Sequence, residues 1–404
     1  VVPDGAEVLD VTDRVVIPGL VNAHTHSNQT LEAGLCDRLP LDAWMVVASY
    51  GGAGASLSPR ELYVSSVLGA IQMIRSGCTA VLDCARAPHG VFADGMDAIM
   101  QAYLDTGLRA TVAAQFTDLD YFASIPLWLI DEEAPAVERL PVDEVLGPAR
   151  AFVERWQGRS TRVKPCLGPS SLPRCSMELF GASVDLAQHL GCGMQTHLLS
   201  ARSQVAYGDK NYFGSTVAFL EDIGALAPWA SFAHAIWLSD DEVERFAAHE
   251  AVAVHNPVSN LKLGAGVAPV PGLLAAGAKV AIGADGASSN DTQNMFETLK
   301  MSALVHRVMH PQERWPGAGD ALGMCWDGGA RAMREPIGRL AVGAAADVVV
   351  LERDAYGAVP PQQIANQLVY AELGGSVDTV IVDGRVLMRD KVLVGVDEAE
   401  IRAE

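Results

Sequence analysis

VVIPGLVNAHTH, residues 15–26, is the stretch from which the fold can be read. It is apolar for most of its length and ends in two histidines two positions apart. A strand places such a pair on one face, so the run is read as a buried strand that delivers both imidazoles to the same side. Seven further runs repeat the pattern: CTAVLDCA at 78–85, RATVAAQF at 109–116, TRVKPCLGP at 161–169, GCGMQTHLL at 191–199, ASFAHAIWL at 230–238, AVAVHNPVSN at 251–260 and KVAIGADGA at 279–287. Longer amphipathic stretches lie between them. In SPRELYVSSVLGAIQMIRSG, Ser58 can cap a helix with Glu61 three residues on, and Gly77 follows the last turn. SMELFGASVDLAQHLG and SDDEVERFAAHE read the same way. Strands alternating with helices predict a parallel sheet with helical crossovers. Eight units, with no GxGxxG after the first strand, favour an α/β fold of the (β/α)8 TIM barrel type over an open doubly wound sheet. Reactive groups then belong at the C-terminal ends of the strands.

The chain has 404 residues, enough for a barrel of roughly 250 to 320 residues and a small appendage. Beyond residue 335 the pattern changes to short β runs, IGRLAVGAAADVVVLE and VDTVIVDGRVLMRDKVLVG, in which Asp383-Gly384 is a two-residue hairpin signal. The opening AEVLDVTDRVV also reads as strand. The expectation is a barrel over 18–334 and a small β-sandwich built from both ends, 1–17 and 335–404.

Half of the residues are hydrophobic and 19% are charged, which excludes a disordered chain. The net charge of −20 repels phosphate backbones and anionic membranes, so neither nucleic acid nor a membrane is an expected partner. The sequence offers no long uncharged apolar run and no signal-peptide pattern at its start, and the protein is read as soluble and cytoplasmic. Seven scattered cysteines without CxxC spacing argue against a disulfide framework or a cysteine-rich metal site.

The histidines carry the functional reading. His24 and His26 end the first strand, His197 closes the fifth, His234 lies in the sixth, His255 ends the seventh and Asp285 ends the eighth. A lone HxH is weak evidence. His234 alone could be a buried histidine bonded to backbone, and Asp285 a turn residue before glycine. Together, imidazoles and a carboxylate converging on one mouth suit a single divalent ion, with zinc the first candidate and iron or manganese the others. His189, His249, His306 and His310 fall in helical patterns and are expected at the surface or at helix ends. Gln29, Trp44, His89, Gln115, Arg174 and His255 lie at or near strand ends and are candidate substrate contacts, each with a structural role as an equal alternative.

The segments VVIPGLVNAHTH, the TH at 196–197, HNPVSNLKLGAGVAPV at 255–270, GADGASSND at 283–291 and IGRLAVGAAADVVVL at 337–351 resemble the cytosine, guanine and S-adenosylhomocysteine deaminase branch of the amidohydrolase superfamily. HTHSNQTLEAGLCDRLPLDAW is similar to the matching stretch of triazine chlorohydrolases. The resemblance implies a mononuclear metal site of His24, His26, His197 and Asp285, with His234 in the coordination or beside it. It also implies a small heterocyclic substrate, a homo-oligomer, and hydrolytic deamination in which Asp285 takes a proton from a metal-activated water while His234 steadies developing charge. The family's shuttle glutamate, three residues after the strand-five histidine, is replaced by Ser200. Serine can relay a proton but is no acid near neutral pH, so dechlorination of a triazine and a catalytically weak binding homologue stand as alternatives. A binuclear site would need a carboxylated lysine at the end of strand four, whereas Lys164 lies inside that strand.

Overall fold

The computed structural model describes residues 7–50, 56–132, 139–353 and 363–404. Eight parallel strands stand side by side in sequence order: β2 (Leu20–Thr25), β3 (Cys78–Ala85), β4 (Arg109–Phe116), β5 (Val163–Pro169), β6 (Met194–Leu198), β7 (Ala230–His234), β8 (Val252–His255) and β9 (Lys279–Ile282). The ring closes where the Asp285 N–H donates to the His24 carbonyl at 2.9 Å and the Ala284 N–H to Asn22 Oδ1 at 2.9 Å. This is the expected (β/α)8 barrel. Its interior is filled by small and branched residues: Val21, Ala80, Leu82, Ala113 and Cys166 in one layer, Ala23, Val252, Val254 and Ala281 in another.

The helices start and stop where local chemistry dictates. Ser58 and Glu61 form a reciprocal capping box on the helix Pro59–Arg75, and Ser239 and Glu242 do the same for Asp240–His249. Ser176 caps Met177–Leu190, which ends on Gly191 in the left-handed conformation. Among the described residues no helix is long and apolar enough to cross a membrane.

The deciding stretch 15–26 is two strands rather than one. β1 (Arg14–Pro18) pairs antiparallel with β10 (Val348–Glu352), and only from Leu20 onward does the chain enter the barrel. The joint is Pro18-Gly19. A Cβ on Gly19 would lie 1.9 Å from Thr79 Oγ1, so the chain passes β3 at a distance that only glycine allows. Several barrel strands also end earlier than their apolar runs. Leu199, His234, Ala235 and Asp285 all have positive φ, which turns the chain out of the sheet at those points.

The two ends of the chain meet in a five-stranded antiparallel sheet, in the order β1, β10, β11 (Val377–Val382), β12 (Arg385–Arg389) and β13 (Val392–Leu393). Asp383 and Gly384, both at positive φ, make the tight turn between β11 and β12. Among the described residues this unit is a single sheet rather than a two-layered sandwich. Val349, Leu351, Val380, Val382 and Leu387 pack into the same core as the barrel helices, which take the place of a second layer. The strand expected before residue 14 does not form: residues 7–11 have no regular structure, and 1–6 lie outside the described residues. Arg109, 2% exposed at the start of β4, fastens the two units by gripping both oxygens of Asp347 at 2.8 and 2.9 Å. Lys164 is also at this lower end, paired with Glu335, a strand's length from the histidine cluster.

Candidate metal centre

His24 and His26 emerge from the top of β2, where a register irregularity between Asn22 and Thr25 lets both rings turn inward. His197 ends β6 one residue early, His234 ends β7, and Asp285 follows β9. Each imidazole is held from behind through Nδ1. Gln195 Oε1 takes that of His24 at 2.8 Å, and the Cys84 carbonyl that of His26 at 2.6 Å. The Ser170 carbonyl takes that of His197 at 2.7 Å, and Asn260 Oδ1 that of His234 at 2.9 Å. Oxygen acceptors at Nδ1 of His24, His26 and His197 favour the ring proton there and turn their Nε2 lone pairs toward one another, while His234 Nδ1 meets both Asn260 Oδ1 and, at 3.3 Å, Asn256 Nδ2.

That arrangement asks for a cation. Nε2 of His26 and of His197 are 3.2 Å apart, and Nε2 of His24 is buried with no hydrogen-bond partner. Asp285 Oδ1 lies 3.6 Å from Nε2 of His24 and 3.5 Å from that of His26, and Oδ2 lies 3.9 Å from His234 Nε2. Four donors set tetrahedrally about 2.0–2.1 Å from a zinc ion stand roughly 3.3 Å from each other. The residues therefore fit a divalent metal ion, and they fall into two overlapping groups, His24 with His26 and His197, and His24 with His234 and Asp285.

Burial and the neighbouring His26 push His24 down to about 3, so it is neutral and a donor at ordinary pH. His197 and His234 are lowered as well, chiefly by burial. Burial opposes the charge on Asp285, yet the surrounding imidazoles and a hydrogen bond from Ser259 hold it below the usual carboxylate range. His234 at φ 73° and Asp285 at φ 68° occupy the left-handed region that side chains with a Cβ seldom adopt. Such strain is kept where surrounding contacts over-determine it, here by Asn260 on one side and Gly286 N–H on Asp285 Oδ1 on the other.

Above the cluster opens a cavity of about 660 Å³. Gln29, Trp44, His89, Gln115, Arg174 and Ser200 all line it, together with His26, His197, His234 and Asp285. Trp44 is fixed by Ser288 Oγ at 3.1 Å, Gln115 by Ser170 Oγ at 3.3 Å, and Gln29 Oε1 is buried without a hydrogen-bond partner. Gln204 holds Ser200 at two points, accepting from its backbone N–H and donating to its hydroxyl oxygen, each at 2.9 Å.

One histidine is placed otherwise than expected. His255 does not reach the cavity: Val252 and Val254 face the barrel interior, so the strand period turns His255 outward, where its ring lies 5.4 Å from that of His306. His306 stands just past the helix Met295–Leu304, at a helix end as expected, and is fully buried in that layer. The residues missed by sequence reasoning are the supports. Gln195 had a readable signal, since it sits two positions before His197 on the same strand. Asn260 stands in the HNPVSN segment, where an asparagine reads equally well as a loop residue. The carbonyls of Cys84 and Ser170 have no sequence signature at all.

The model of the amidohydrolase family matches residues 15–387. A 5'-deoxyadenosine deaminase of Methanosarcina barkeri is 34% identical over 395 residues, which cover 98% of this chain and 85% of that protein. A 5-methylthioadenosine/S-adenosylhomocysteine deaminase of Desulforudis audaxviator is 33% identical, with 98% of this chain and 86% of that protein covered. Among solved structures, an adenosine deaminase from Xanthomonas campestris with bound zinc superposes with a TM-score of 0.85 at 26% identity, covering 97% of this chain and 84% of the other. The atrazine chlorohydrolase TrzN of Arthrobacter aurescens, in complex with zinc, gives 0.86 at 25% identity, covering 97% and 87%.

Proposed function

The chain belongs to the amidohydrolase family, and we propose that it is a zinc-dependent aminohydrolase that removes the exocyclic amino group from an adenine-bearing nucleoside or a related amino-substituted N-heterocycle. The observation that carries this reading is the convergence of four back-braced imidazoles and Asp285 at the head of a cavity with room for more than a bare ring. The deaminase relatives at about a third identity supply the substrate class.

His24, His26, His197 and Asp285 would hold the metal, with His234 beside or among them. A divalent ion bound there supplies Lewis acidity and brings the pKa of water down toward about 7. Asp285 takes a proton as water adds to the amino-bearing ring carbon. The same proton passes to the exocyclic nitrogen, the C–N bond breaks, and ammonia leaves. His234, held at Nδ1 by Asn260 and Asn256, turns Nε2 to the cavity and serves there as ligand or to steady developing charge. Ser200, whose oxygen already accepts from Gln204, keeps its own O–H to offer a ring nitrogen. It orients the ring without protonating it.

Ser200 also favours a second reading, in which the leaving group is chloride and needs no proton. Release of ammonia and of chloride from adenine nucleosides, pterins, pyrimidines and chlorotriazines, followed with zinc-loaded protein, separates the two. Ammonia from an adenine nucleoside is expected. Chloride alone would favour the second reading, and turnover of none of these would contradict both.

A further inference from the structure

Asp83 is a fully buried carboxylate in the apolar strand β3, between Leu82 and Cys84. Its oxygens accept from the backbone N–H of Ser27 at 2.9 Å and from the phenol of Tyr103, itself fully buried, at 2.9 Å. Neither partner is a cation. Burial pushes its carboxyl above the ordinary value, against the hydrogen bonds from Ser27 and Tyr103. A buried carboxylate facing only neutral donors is costly, and proteins keep one where a charge elsewhere needs it.

Its position says which charge. Asp83 and Cys84 grip His26 and Ser27 at two points: the carboxylate takes the Ser27 N–H, and the Cys84 carbonyl takes the His26 Nδ1–H at 2.6 Å. Ser27 is tied down further, its carbonyl accepting from Ser65 Oγ at 2.6 Å and its hydroxyl meeting Ser66 Oγ at 2.9 Å. Asp83 thus bonds the backbone immediately after His26, and the next residue on its strand holds the His26 ring. Asp285 is the one carboxylate among the converging groups, and its single negative charge leaves a divalent ion half balanced.

We infer that Asp83 is the second half of that counter-charge, a positioning residue that locks the His26-Ser27 segment and neutralises a metal ion it does not touch. The inference rests on the metal reading above. With Asp83, the divalent ion and the two carboxylates sum to zero inside a low-dielectric site. Tyr103 and the Ser27 N–H hold the carboxylate, and it belongs to neither group of converging ligand atoms.

Asp83→Asn keeps the shape and an acceptor for the Ser27 N–H while removing the charge. Three readouts apply: zinc affinity by chelator competition, the absorption spectrum of the cobalt-substituted protein, and thermal midpoints of the metal-free and zinc-loaded forms. Zinc binding should weaken about 10- to 100-fold, the range seen when outer partners of metal ligands are lost. The cobalt spectrum should keep its wild-type shape, and the metal-free midpoint should stay level or rise while the gain on adding zinc shrinks. Zinc affinity equal to wild type, or equal falls in both midpoints, would overturn the inference and leave Asp83 a structural tie. Tyr103→Phe carries the test if the first variant does not fold: it keeps the charge and loses one hydrogen bond, so zinc affinity should stay near wild type while the metal-free midpoint drops. A large loss of affinity there would count against the charge argument. Wild-type protein that binds no zinc would remove the metal reading and this inference together.

Discussion

At position 200 a hydroxyl stands where the resemblance calls for a carboxylate, and it is held by Gln204 through both its backbone and its side chain. A serine so placed donates a hydrogen bond but cannot protonate a leaving nitrogen. Ser200→Glu is therefore expected to raise ammonia release by about 10-fold or more, since a positioned general acid contributes 10²–10⁴. Steady-state kinetics would check this, and unchanged or abolished turnover would count against a missing acid. The convergence of His24, His26, His197 and Asp285, the proposed ligands, was legible because each stands at or near the end of an apolar run. Their supports were less so: two are backbone carbonyls that any residue could offer. His255 was misplaced for a different reason. Ending a strand is not enough, because the side chain must also be in phase with the interior, and Val254 holds that phase.

At the scale of elements, the eight apolar runs gave the barrel strands in number and order, but their ends were set by turns that apolarity does not mark. His234 and Asp285 leave the sheet at positive φ, which is what aims them at the common point. The break at Pro18-Gly19 was hidden inside one apolar run, because the residues before it are apolar although only Ile17 of β1 is buried, whereas β2 after it is buried throughout. Gly19→Ala should cost about 1–3 kcal/mol of stability by forcing Thr79 out of place. Urea unfolding would measure it. A variant as stable as wild type would mean that β1 and β2 are not joined as closely as described.

At the scale of the whole molecule, the proposed centre exists only when the ring is closed. Its residues come from β2, β6, β7 and the turn after β9, up to 261 positions apart by the numbering of His24 and Asp285. The terminal sheet, fastened by Arg109 and Asp347, supports the lower end of the barrel while the chemistry sits at the upper one. The central claim is that these strand ends hold one divalent ion through nitrogen and oxygen alone. X-ray absorption at the zinc edge, with metal content measured on the same sample, tests it most directly. The account predicts one zinc per chain with nitrogen and oxygen neighbours at about 2.0–2.2 Å. A sulfur shell near 2.3 Å, or a folded chain that takes up no stoichiometric metal, would contradict it.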